Sequence, residues 1–236
     1  MAIAPDQSET FAREVDENLR RDQLRDAAQA YGKWAIAGVV LFLLAIGAWL
    51  FWRDHQAKQA AADSEAMAAT IENIGSGNIA PVAGQLDALE QAHADAISVS
   101  ARLTRAALAL QQNDRPKAIG IYKDVAADGG IAQPWREVAT IRQTALEFDT
   151  LQPQAVIDRL DPLARPGNAW FGSAGEMTAL ALLKAGRKSE AGRLFAAIAA
   201  DRGVPETIRG RAVQMAGTLG VDASAALAQI TTAPAQ

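Results

Sequence analysis

Nineteen consecutive residues between Lys33 and Arg53, WAIAGVVLFLLAIGAWLFW, carry no charge, and they limit what the chain can become more than any other stretch. At about 1.5 Å of rise per residue, a helix of this length reaches across the ~30 Å apolar interior of a bilayer. Trp34 at one end and Trp49 and Trp52 at the other place amphipathic rings where the headgroups begin, so these three are read as membrane anchors. A core helix of the same composition needs apolar neighbours on every side, and Arg53, Asp54 and His55 lead instead into a Gln/Ala/Lys run. A cleavable leader is shorter, starts earlier and ends in small residues rather than Trp-Leu-Phe-Trp. Gly38 faces Phe42 and Gly47 faces Phe51, so no small-residue seam signals a dimer.

Arg13, Arg20, Arg21, Arg25 and Lys33 precede the segment, whereas Arg53 and Lys58 follow it closely. The excess predicts a cytoplasmic N-terminus. The chain then reads as single-pass in an inner (plasma) membrane, with a C-terminal domain that is periplasmic in a Gram-negative host. The expected divisions are a cytoplasmic juxtamembrane arm over 1–32, a transmembrane helix over 33–53, a helical connector over 54–96, a repeat domain over 97–220 and a mobile tail over 221–236. Within the arm, Phe11, Val15 and Leu19 stand four apart, the mark of a short amphipathic helix. Gly75-Ser76-Gly77-Asn78 marks a turn, after which Pro81 opens a helix with Val82, Leu86 and Leu89 on one face.

The formal net charge of −4 is spread along the chain and offers no basic field to nucleic acid. With no Cys, disulfides, thiolate metal sites and thiol nucleophiles are all excluded.

From about residue 97 the sequence repeats. ALALQQNDRPKAIGIYKDVAADGG (107–130) aligns without gaps to LALLKAGRKSEAGRLFAAIAADRG (180–203), which pairs Ala118 with Ala191, Tyr122 with Phe195, and Asp128 with Asp201. Ala155 stands 37 residues after Ala118 and 36 before Ala191, so three units of about 36 to 37 residues are expected. In this register the middle unit has Arg159 where the outer units have Tyr122 and Phe195, and Pro162 and Pro166 cut its second helix short. Helix, polar turn, second helix with a small residue and an aromatic four later is the layout of tetratricopeptide repeats. Small Ala118, Ala155 and Ala191 let paired helices approach, and Tyr122 and Phe195 fill the space between hairpins. Asn113-Asp114 and Gly186-Arg187 end the first helices through left-handed or solvated backbone. The fold expected is all-α: an N-terminal amphipathic helix, one transmembrane helix, then an α-solenoid of about three hairpins. A capping helix over 205–220 closes it, with Ile208, Ala212 and Met215 inward and Arg209 and Arg211 outward.

Few residues suggest chemistry. His55 and His93 lie 38 apart, and Glu90-Gln91-Ala92-His93 lacks the second motif and extra carboxylates of a di-metal bundle site. Gly186-Arg187-Lys188-Ser189 lacks the upstream Gly of a phosphate loop and falls in a repeat turn. Asp158 and Asp161 are one helical turn apart and face water most simply. No catalytic residue, cofactor, metal site or small-molecule substrate is assigned. Trp135, Trp170 and Phe171 each stand beside a Pro or Gly at a helix entrance; such rings either lock hairpins together or line a groove for a bound chain.

The arm FAREVDENLRRDQLRDAAQAYGKW, the single crossing and the ending ADRGVPETIRGRAVQM together resemble the YfgM-type ancillary translocon proteins, and are most similar to their alphaproteobacterial branch, over roughly residues 10–220. The resemblance implies an inner-membrane protein with a periplasmic tetratricopeptide-like domain that associates with Sec translocon subunits and periplasmic chaperones. Its expected role is non-enzymatic binding of unfolded exported proteins, with membrane lipid as the other partner. A scaffold for envelope assembly or cell division needs the same architecture with a fixed partner, and is the alternative.

Overall fold

The structure, a computed structural model, describes the backbone of residues 7–92 and 94–225, and within that range the side chains from Lys33 onward except Ala35. The amphipathic stripe of Phe11, Val15 and Leu19, His93 and the tail from 226 onward lie outside those described residues. Among the described residues the fold is all-helical. In chain order the helices are α1 (Gln7–Gly75), α2 (Val82–Leu89), α3 (Asp95–Gln111), α4 (Arg115–Ala127), α5 (Gln133–Glu147), α6 (Pro153–Leu160), α7 (Phe171–Lys184), α8 (Lys188–Ala200) and α9 (Glu206–Thr218). Two compact units divide between Ala61 and Ala62.

The first unit is α1 as far as Ala61. The juxtamembrane and apolar stretches read separately in the sequence are segments of one helix; no Pro interrupts them, and single glycines cost a helix only about 1 kcal/mol each. Ten large aliphatic or Phe side chains from Ile36 to Phe51 are exposed, as are Trp34, Trp49 and Trp52, at 71%, 57% and 62%. The stretch Ile36–Gly75 is long and apolar enough to cross a membrane, and its most apolar window has no side chain buried against protein. Leaving those ten side chains in water forfeits on the order of 15 kcal/mol. That is comparable with the stability of a whole domain, which fits a segment that could span a membrane.

The second unit begins with the end of α1. Met67 and Ile74 pack with Val82, Leu86 and Leu89 of α2 and with Ala101 and Leu108 of α3. The stretch expected as a connector therefore shares a core with the repeats. Glu90 and Asp87 accept hydrogen bonds from the Arg105 guanidinium, both at 2.5 Å, which pins α2 to α3.

Hairpins follow: α3 packs on α4, α4 on α5, α6 on α7, α7 on α8 and α8 on α9. The duplication reaches individual hydrogen bonds. Asn113 (φ 59°) and Gly186 (φ 77°) end α3 and α7 in the left-handed region. Asp114 and Arg187, the next residues, then donate their amides to Ala109 and Leu182 at 2.8 and 2.9 Å. Asp128 and Asp201 each accept from the amide two residues on, that of Gly130 at 3.0 Å and of Gly203 at 2.8 Å.

The middle hairpin corrects the expected register. Ala155 is exposed, whereas Val156 and Leu160 are buried at 1% and 0%. Val156 is the fourth residue of α6, as Ala118 is of α4 and Ala191 of α8. Leu160 is the eighth, matching Tyr122 and Phe195, so Leu160 rather than Arg159 fills the aromatic position. The cause is loop length: residues 112–114 join α3 to α4 and 185–187 join α7 to α8, but five residues, 148–152, join α5 to α6. Arg159 points away and donates to Glu147 at 2.6 Å. Ala118, Tyr122, Ala191 and Phe195 are all buried, Ala118 and Tyr122 in the α3–α5 core and Phe195 in the α7–α9 core.

Helix α9 brings a second correction. Arg209 is 5% exposed, not outward, because it shares a stripe with Ala212, Val213 and Ala216. Small neighbours admit its stem, and its Nε donates to the carbonyl of Ala199 at 3.0 Å, near the electronegative end of α8.

Candidate functional site

One layer of the second unit is made by the first helices of the hairpins, where α5 packs on α7 and α7 on α9. Each presents a stripe at helical spacing that neighbouring helices cover only in part. On α5 it is Val138, Ile141, Arg142 and Ala145; on α7 Ser173, Glu176, Met177 and the exposed Leu180; on α9 Ile208 and Arg211. Between these stripes lies a cleft of about 510 Å³. A second, of about 380 Å³, is lined by Leu103, Thr104, Ala107 and Leu110 of α3, Tyr122 of α4, and again Val138 and Arg142. The two shared residues make the clefts neighbours along one open groove.

Trp170 forms a wall of the larger cleft, and its position is built by the loop before α7. There Gly167 takes φ 85°, and the Asn168 carboxamide oxygen accepts the Trp170 amide at 2.8 Å. The indole Nε1–H then donates to Glu137 Oε2 at 2.9 Å, while Gln133 holds Oε1 of the same carboxylate at 2.7 Å. Trp170 also packs on the α6–α7 core that holds Leu160, as does Met177.

The three aromatics singled out in the sequence therefore separate. Trp170 lines the groove. Trp135 is half-buried against the α3–α5 core and lines neither cleft. Phe171 is 1% exposed in the α7–α9 core, so its place in a groove is corrected to packing. A helix turns about 100° per residue, which sends neighbouring rings at a helix start to different sides.

The electrostatics are uneven. Arg211 spans Glu176 with two bonds of 2.9 and 2.8 Å. Arg142 has no hydrogen bond or ion pair among the described residues; its charge is felt by the Tyr122 phenol. Burial raises the Tyr122 phenol above its ordinary value against the opposing field of Arg142, keeping it neutral. Gly186-Arg187-Lys188-Ser189 lies in the α7–α8 turn, where Arg187 pairs with Glu190 at 2.7 Å. Asp158 and Asp161 are exposed, the first accepting from Gln154 and the second paired with Arg165.

Stacked antiparallel hairpins with small and large residues alternating at their seams, and an open groove along their first helices, define a helical-repeat protein. A family model described as a tetratricopeptide repeat-like domain matches residues 28–216, and the chain belongs to that family. Such domains serve generally as non-catalytic protein-interaction modules. No curated protein and no solved structure matches the chain.

Proposed function

We propose that this protein is a membrane-anchored protein-interaction module that works beside the Sec translocon. Through the groove along α3, α5, α7 and α9 it binds exported polypeptides, or the periplasmic chaperones that receive them, without catalysis. The observation that carries the reading is the groove itself, an open, mainly apolar surface with Trp170 fixed as its wall. The apolar segment of α1 supplies the tether, with Trp34, Trp49 and Trp52 at the headgroups. Tethering confines the groove to the membrane surface and raises its effective concentration near a pore. The excess of Lys and Arg before the segment supports an N-terminus inside and a periplasmic repeat domain, and the likeness of the arm and repeat endings to YfgM-type proteins supports the Sec context.

Photo-crosslinking in living cells tests this. A crosslinker at Ile141 or Trp170 should trap translocon subunits, chaperones or exported chains, whereas one at exposed Ala155 should not. Consistent failure from well-expressed protein sinks the reading. Recovery of division or wall-synthesis proteins alone favours the scaffold alternative. A reporter enzyme active only in the periplasm, fused after Asp222, reads the orientation.

A further inference from the structure

We infer that the groove selects polypeptide segments in which an acidic side chain lies between apolar residues, with Arg142 as the residue that reads the carboxylate. The inference rests on the proposed binding of polypeptides and names the chemistry of what is bound.

Arg142 stands where the two clefts meet and lines both. The other two charged residues lining them, Arg211 and Glu176, neutralise each other in a two-bond pair. Arg142 has no such partner among the described residues, and the phenol beside it is neutral. The groove therefore carries one uncompensated cation between apolar walls. The surrounding unit is of opposite sign, since residues 62–236 hold 16 Lys and Arg against 19 Asp and Glu. Selection is thus local to the groove and not a long-range attraction of the whole domain, which salt screens beyond about 8 Å.

Desolvation makes the cation selective. A segment that fills the clefts with apolar side chains strips water from the Arg142 guanidinium. Without an acceptor the ion is left partly buried and unpaired, at a cost. With a lysine opposite, repulsion adds to that cost. A carboxylate satisfies the planar fork through two parallel bonds, so the same apolar contacts are made without the penalty. Two adjoining clefts joined at one cation suit an elongated chain with apolar residues on both sides of the acid.

The test uses the full chain in lipid nanodiscs and three fluorescein-labelled synthetic peptides of Leu and Ala around one central residue: Glu, Gln or Lys. By fluorescence anisotropy the Glu peptide should bind about fivefold tighter than the Gln peptide, as expected for one partly exposed ion pair, with the Lys peptide weakest. Arg142→Ala should bring the Glu and Gln affinities together, and Arg142→Glu should move the Lys peptide to first place. Arg142 is exposed and unpaired, so both variants keep the fold, and unchanged urea midpoints check that. Equal binding of Glu and Gln peptides by the parent protein, or a Glu preference that survives Arg142→Ala, overturns the selection rule while leaving polypeptide binding intact. If none of the three peptides binds, polypeptide binding by the groove itself fails.

Discussion

Leu160→Ala tests the register of the middle hairpin. Leu160 is fully buried among Val156, Leu163, Ala174 and Ala181, with Ile141, Phe148, Trp170 and Met177 against the same cluster. Removing its three terminal carbons costs the transfer of those atoms plus the cavity they leave, about 2 to 5 kcal/mol for such a site. Ala174 and Ala181 carry only methyl groups, which cannot rotate into the void, and Trp170 is held by Glu137, so about 3 to 4 kcal/mol is expected. Ala155→Glu is the matched control. At an exposed position in the first turn of α6 it should change stability by no more than ~0.5 kcal/mol, helped by an acid near a helix N-terminus. Were Ala155 the seam residue, as gap-free spacing from Ala118 suggests, a buried glutamate would cost several kcal/mol instead. Urea denaturation of the full chain in detergent, followed by Trp fluorescence in a Trp34→Phe, Trp49→Phe, Trp52→Phe background, reads only Trp135 and Trp170 of the five Trp. With an m-value of about 2 kcal/mol/M, Leu160→Ala should lower the midpoint by about 1.5 to 2 M and Ala155→Glu should leave it in place. The reverse order, or equal losses, refutes the register.

Four further outcomes follow from the packing and charges. A Cβ on Gly172 would lie 2.8 Å from Val204 Cγ1, and one on Gly175 3.0 Å from Ile198 Cδ1, so Gly172→Val and Gly175→Val should each destabilise by about 1 to 3 kcal/mol in the same assay. Gly120 and Gly210 face open space within α4 and α9, and Gly120→Ala or Gly210→Ala should stabilise by about 0.5 to 1 kcal/mol. Spectrophotometric alkaline titration of Tyr31→Phe, which leaves Tyr122 alone, should give a phenol titrating above 10.0. Because the folded value is the higher one, its contribution to stability is whole below pH 10.0 and is lost as pH rises through the folded value. Replacing Val40 and Leu44 together by Asp should cost about 2.5 to 3.5 kcal/mol of insertion each and move the protein into the alkaline-carbonate supernatant, where the parent stays in the pellet.

The outer hairpins were legible because their turns are equally long, so a gap-free comparison set Ala118 against Ala191 and Tyr122 against Phe195. The middle one was not, since an average period cannot reveal that 148–152 is longer than its counterparts. Leu160 also looks like any other Leu. The apolar run of α1 was plain from composition alone. The groove was harder to see. Val138, Ile141 and Ala145 resemble the core stripe of an ordinary amphipathic helix, and only the burial of Ala139, Gln143 and Thr144 on the other side of α5 shows that they belong to a second, half-open face. That doubling was the signal available: α5 carries apolar residues on more of its circumference than one neighbour can bury. Arg209 misled for a related reason, since its stem packs like an aliphatic chain and only its tip is polar.

The five-residue loop between α5 and α6 also matters to anyone who wishes to engineer the protein. Helix α6 begins 38 residues after α4 and α8 begins 35 after α6, yet α5 follows α4, α7 follows α6 and α9 follows α8 by the same 18 residues from start to start, so the extra length lies wholly between the starts of α5 and α6, 20 apart against 17 for α7 and α8. The slack has a place, at Asp149 and Thr150, where the Asp149 side chain is 83% exposed. Lengthening a loop there adds only about 0.6 kcal/mol per doubling, while the tight turns at Asn113 and Gly186 admit no such change. A reporter or affinity sequence spliced between Asp149 and Thr150 would ride on the repeat domain without disturbing either the seams or the groove.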